Sequence, residues 1–317
     1  MRLMSGLASV MWAIALLAGC AKGGPGPRTV TAASASPTIG VPNPFTVTAR
    51  YDARSLGLTN PRSLAIGPDG SLYVTDASQR VSVISPEGDV LRRWGRPGSG
   101  PGEFSFVALE PSGLDIHAKI AVGANGLVYV SDSGNGRVEV FTPTGTFVRQ
   151  IGFPGRGEGH LVAPFDVAVD EAGDVFVADD ELLTVTKFLP DGRFLWRIGG
   201  GVSTDPDLQG HEHLSAVDAH GRLVMANDDI GAVLYVDAYG HVVDRFHQGG
   251  CDVSVDALGN TYVNDCDGRI HVFDREHRPV GLWDSGAPFS PRFGPSGESF
   301  LLNNGTIMRL RIALPRR

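Results

Sequence analysis

The chain has 317 residues and a formal charge of −8, with 42 glycines, 8% aromatic residues and 20% charged residues. An acidic balance of this kind disfavours nucleic acid as a partner. After residue 20 there are no long helix-period runs, so the glycine-rich composition favours many short strands and turns.

The first twenty residues read as an export signal. Arg2 precedes an uncharged apolar run that ends in "LLAGC" and is too short and too lightly flanked for a membrane span. Leu17, Ala18, Gly19 and Cys20 resemble the bacterial lipobox, which implies a signal peptide over 1–19 and a diacylated Cys20 as the mature N-terminus. The alternative is an ordinary secretory signal with an incidental cysteine. Acyl chains hold a protein at a bilayer by burying CH₂ groups, so a lipidated cysteine can replace a membrane helix. Residues 20–43 then form a tether of Gly, Ala, Ser, Thr and Pro, with too few bulky apolar side chains to offset the entropy of ordering. Without residues 1–19 the chain keeps 26 basic and 35 acidic residues, which argues against a basic patch holding the body to anionic lipid. Ala21 lacks the aspartate that signals inner-membrane retention, so the outer membrane of a bacterial envelope is the preferred destination.

From residue 44 onward the sequence repeats. Glycines at 70, 126, 173, 221, 259 and 297 are each followed six residues later by Asp76, Asp132, Asp179, Asn227, Asp265 and Asn303. Apolar-alternating strands flank each glycine, as in "KIAVG" before Gly126 and "VYVSD" after it; a third strand such as "RVEVF" follows, and in the first four units a glycine turn leads to a fourth such as "FVRQIG". Period-2 alternation with glycine turns predicts antiparallel four-stranded units, and six of them arranged radially make an all-β six-bladed propeller. The sixth unit stops after its third strand. The orphan strand "FTVTARY" (45–51) stands where a fourth strand stands elsewhere, so it is expected to complete blade six and close the ring. The glycine supplies positive φ in the turn, and the Asp or Asn accepts backbone N–H groups of the next turn.

The segments "GRPGSGPGEFSF" (95–106), "GLVYVSDSGNGRVEVF" (126–141) and "FDVAVDEAGDVFVADD" (165–180) resemble NHL repeats, and the layout over about residues 45–314 is similar to six-bladed propellers of that family. Blade six departs from the pattern at "SPRFGPSGESF", which has Pro and Arg in its inner strand. The resemblance implies a fold and constrains function much less.

Function is expected on one face. The segments 96–116, 153–163, 200–212 and 284–290 all fall on the side of the blade-to-blade linkers and the turns between second and third strands, where a rigid scaffold carries its binding loops. Aligning the units on their glycines places Arg62, Lys119, Asp166, His213 and Asp252 at the heads of the inner strands, and these are the candidate ligand-binding residues. His117, His160, His211 and His213 lie close by and are candidate ligands for zinc or another divalent metal. At the level of the fold the chain resembles peptidyl-hydroxyglycine amidating lyase, whose zinc histidines follow a proline at the start of several inner strands. Here that column holds only His213, without the proline. No G-x-S-x-G element and no phosphate loop before a helix is present.

Cys251 and Cys266 flank the hairpin "CDVSVDALGNTYVNDC" and oppose one another across it, so export permits a disulfide; two free thiols are the alternative. The preferred reading is a lipid-anchored envelope protein whose propeller binds a protein, peptide or glycan through its long-loop face. The rival is a metal-dependent lyase or hydrolase, and a purely structural envelope component is a third.

Overall fold

The computed structural model describes residues 41–315 except 111–112, 117, 203–204, 209–211 and 228. The expected signal peptide, Cys20, most of the tether, His117 and His211 lie outside the described residues. No helix among the described residues is long and apolar enough to cross a membrane.

Six four-stranded antiparallel sheets form the blades of a propeller. Blade one comprises Pro61–Ile66, Leu72–Asp76, Arg80–Ile84 and Val90–Trp94, innermost first, and blades two to five repeat the same order. In blade six the strands Arg292–Phe293, Ser299–Asn303 and Thr306–Ile312 are completed on the outside by Phe45–Asp52, with Phe45 opposite Ile312 and Asp52 opposite Thr306. The first and last strands of the propeller therefore share a sheet. The preceding residues already lie on blade five, where the Pro42 carbonyl accepts from Leu282 N at 3.3 Å.

All six column glycines have φ between 73° and 87°, and each donates its N–H to the carbonyl three residues earlier, as Gly126 does to Gly123 at 2.8 Å. A β-carbon would strain that backbone, which explains the recurrence. Three residues after each glycine stands Tyr73, Tyr129, Phe176, Val224, Tyr262 or Phe300, every one buried. These side chains fill the seams between neighbouring blades. Around Tyr73, for example, Val81, Phe104, Phe106, Val128 and Phe141 pack from blades one and two and their linker. Burying each such side chain is worth about 1.5–3 kcal/mol, so the seams supply much of the apolar stabilisation of the propeller.

The Asp/Asn column does more than serve its own turn. Asp76, Asp132 and Asp179 accept Thr59 N (3.3 Å), Ser105 N (2.6 Å) and Val162 N (2.7 Å) from the preceding linkers. Asn227 and Asn303 donate to the linker carbonyls of Asp207 (3.4 Å) and Ser285 (2.9 Å). Blade five differs. Its second strand ends at Asn264, which donates to Ala287 O at 2.7 Å, while Asp265 turns to Arg269 (2.7 Å) and His271 (3.0 Å). In the same turn Cys266 has φ 67° and is bridged to Cys251, with Cα atoms 5.2 Å apart.

Candidate binding face and axial channel

The linkers meet the turns between second and third strands on one face, as their hydrogen bonds to the Asp/Asn column require. After blade one the linker carries a hairpin of Val107–Glu110 and Gly113–Ile116. After blade two Phe153–Pro154 runs parallel to His160–Leu161, and after blade three a 3-10 turn spans Pro206–Leu208. Phe153, Val202 and Ile230 are exposed on this side.

Buried charge fixes the first of these linkers. Arg137 is 6% exposed and pairs with Asp132 (2.8 Å) and Glu139 (3.2 Å), while its guanidinium also donates to the carbonyls of Gly100 and Glu103, both at 2.9 Å. Asn135 adds a bond to Gly98 O at 2.9 Å, and Arg96 pairs with Glu103 at 2.7 Å. The segment 96–104 is thus held by charge-assisted bonds, which are stronger than neutral ones. Burial pushes the Glu139 carboxyl up to about 7 against the opposing pull of Arg137 and the Gly102 N–H.

At the heads of the inner strands three of the expected residues come together. Lys119 Nζ lies 3.0 Å from Asp252 and 3.7 Å from Asp166. Arg292 completes the group, with its two terminal nitrogens 2.9 and 2.8 Å from the two oxygens of Asp252. Asp252 also accepts Ser290 N at 2.6 Å. Lys119 sits over the Phe289 ring, 4.9 Å from its centroid. Among the described residues, two cations and two carboxylates thus form one lattice across blades two, three, five and six.

The two carboxylates are tuned in opposite directions. Burial is the largest influence on both. For Asp166 it prevails over Lys119, and the neighbouring Asp252 adds to it, so the carboxyl rises to about 6. For Asp252 burial is outweighed by Arg292 and Lys119 and by hydrogen bonds from Arg292 and Ser290 N, so the carboxyl is held well below the usual range.

Arg292 was missing from the sequence candidates, although "SPRF" stood out as irregular. A ring alignment two residues deeper into the channel would have found it. Ala65, Ala121, Ala168 and Ala216 occupy that position in blades one to four and Ser254 in blade five, whereas blade six has Arg292. One long cation in a ring of small side chains has room to cross to Asp252.

The remaining candidates lie apart from this lattice or outside the described side chains. Arg62 is half-buried on blade one, with its Nε buried and lacking a hydrogen-bond partner among the described residues. His160 is on the linker before blade three, with Nδ1 2.9 Å from Glu158 O and its ring centroid 6.4 Å from that of Phe153. His213 lies on the inner strand Glu212–Val217, opposite Ala226. Among the described residues no group of three or more His, Cys, Asp or Glu is arranged to hold a metal ion.

Comparison with known proteins agrees with this architecture. The NHL repeat model matches residues 118–141, the end of the linker and the first three strands of blade two. The chain carries an NHL repeat. Over 189 residues it is 26% identical to Protein brain tumor of Drosophila melanogaster, which is 57% of this chain but only 16% of that protein's length. Among solved structures, a streptogramin B lyase superposes with a TM-score of 0.59 at 11% identity, covering 84% of this chain and 98% of the lyase. Virginiamycin B lyase from Staphylococcus aureus gives 0.57 at 12% identity, covering 82% and 83% of the two chains. A gluconolactonase from Xanthomonas campestris gives 0.56 at 15% identity, covering 81% and 87%. At these identities the likeness is one of fold, on which unrelated chemistries are built.

Proposed function

We propose that this NHL-type propeller is a binding scaffold, presented at the bacterial envelope by a lipid on Cys20 and a tether over 20–43, and that it engages a protein, peptide or glycan through its long-loop face. The observation that carries the reading is the grouping of elaborated linkers after blades one, two and three on one face of a closed ring, with Phe153, Val202 and Ile230 exposed there. A rigid frame under irregular loops is the usual division of labour in binding proteins. The charged residues at the channel head support it differently: Lys119, Asp252 and Arg292 are paired with one another and hold the frame.

The solved lyases and the gluconolactonase share the fold, so a metal-dependent lyase or hydrolase using His117, His160, His211 and His213 with Asp166 or Asp252 is the second reading. Elemental analysis separates the two. Protein exported to a periplasm and purified without chelator or affinity histidines is expected to be folded and metal-free. Near-stoichiometric zinc, lost on His213→Ala, would overturn the scaffold reading. The anchor has its own test. Wild-type protein is expected to partition into detergent and the Cys20→Ser variant into the aqueous phase; equal partitioning would remove the lipid from the account.

A further inference from the structure

We propose that the axial channel is a second binding site, a chamber that takes the carboxylate of a small aliphatic acid on Lys119, Arg292 and the Ser254 hydroxyl. The chamber has a volume of about 220 Å³ and is lined at its polar end by Ser63, Lys119, Asp166, Ser254 and Arg292. A single water needs roughly 10–15 Å³ on the same measure, so there is space for an organic guest.

Three observations point to an anion. The cations are the accessible part of the charge lattice: the Lys119 and Arg292 side chains are 16% and 17% exposed, against 4% and 1% for Asp166 and Asp252. The carboxylates stand behind them, so a guest meets ammonium and guanidinium first. Second, Lys119 has three N–H donors and one hydrogen-bonding contact to the lattice, the 3.0 Å bond to Asp252, with Asp166 farther off at 3.7 Å. Third, the Ser254 hydroxyl is buried in the wall of this chamber with no hydrogen-bond partner among the described residues. A buried hydroxyl without a partner is costly, and a guest that accepts its proton removes the cost.

The geometry limits the class of guest. Side chains two apart on a strand share a face, so Ser254 lies next to Asp252 on the side that Arg292 reaches. Beside and beyond the polar groups the walls include Ala121, Val122, Val167 and Val255, which suit a short hydrocarbon tail. Toward the short-turn face, three of the four acids at the rim, Asp170, Asp218 and Asp256 but not Glu171, are engaged. Asp218 pairs with Arg222 at 2.7 Å, Asp170 lies 3.9 Å from Lys187, and Asp256 accepts from Asn260 and Tyr262 at 2.8 and 3.0 Å.

Calorimetric titration of the full chain with butyrate tests the site, with 1-butanol as the neutral control. Saturable butyrate binding without butanol binding is expected. Ser254→Ala should weaken it about fivefold, the value of one hydrogen bond, without lowering the melting temperature, because the hydroxyl has no partner among the described residues to lose. Lys119→Gln should weaken it further. A tripeptide with a free C-terminus, compared with its amide, distinguishes the source: tighter binding of the free peptide than of butyrate assigns a chain terminus, and the reverse assigns a metabolite-sized acid. Absence of saturable binding by both butyrate and the free peptide, or equal affinity in Ser254→Ala, would overturn the proposal. The site lies among the inner-strand heads and does not use Phe153, Val202 or Ile230, so its failure leaves the scaffold reading untouched.

Discussion

Asp252→Ala is expected to destabilise the propeller by about 3–5 kcal/mol, because it strands Arg292 and Lys119 in a buried site without their shared partner. Asp252 is 1% exposed and binds the head of blade six through both Arg292 and Ser290 N. Urea unfolding of the variant measures the loss. A change of less than about 1 kcal/mol, typical of surface pairs, would contradict the structural role given to the lattice. Asp252→Ala with Arg292→Met should recover part of the loss, since both charges then leave the interior. The pH dependence has two limbs of opposite sign. Asp252 is depressed in the fold, so its contribution is full above the ordinary carboxylate pKa of about 4 and is lost as pH falls below it. Asp166 is raised to about 6, so the folded state holds its proton longer and stability declines as pH rises from about 4 to 6. Asp252→Asn should flatten the acid limb, and Asp166→Asn the decline above it.

Loss of the Cys251–Cys266 bridge should cost about 3 kcal/mol, since it closes a loop with a sequence separation of 15. The bridge clamps the head of the inner strand of blade five to the turn after its second strand, one residue from Asp252. Cys251→Ser with Cys266→Ser is therefore expected to lower the thermal midpoint and to loosen the Asp252 lattice as well. Amide exchange would show this as faster opening at Val253 and Val263 than at Val177 in blade three. Unchanged melting together with unchanged exchange would mean that the seam around Tyr262 holds the blade without the bridge.

The fold was legible because its signals are backbone signals. Positive φ at six turns admits glycine almost alone, and an Asp or Asn six residues on caps the turn that follows, so both columns stand out in a single chain. The missing fourth strand of blade six and the strand at 45–51 identified each other for the same reason: a ring has no spare edge. In blade five Asp265 accepts Asp267 N and Arg269 N of the next turn, as its column implies, and the linker contact falls one residue earlier, on Asn264. The charge lattice was legible only in part. Lys119, Asp166 and Asp252 share one alignment row, but Arg292 reaches them from a row deeper, over the small residues of neighbouring blades. A side chain as long as arginine escapes column-by-column reading because its charge lies several ångströms from its own Cα. The binding face has even less signature, since loops differ from blade to blade and carry no repeat by which to recognise them.

Photo-crosslinking in the cell envelope tests the central claim most directly, with a photoreactive residue at Phe153 on the long-loop face and another at Leu258 on the short-turn face. Both positions are open, at 59% and 78% exposure, so accessibility does not bias the comparison toward the long-loop face. The account predicts a discrete adduct from Phe153 that is lost when Val202→Asp is added, and none from Leu258. An adduct from Leu258 alone, or one at Phe153 indifferent to Val202→Asp, would contradict it.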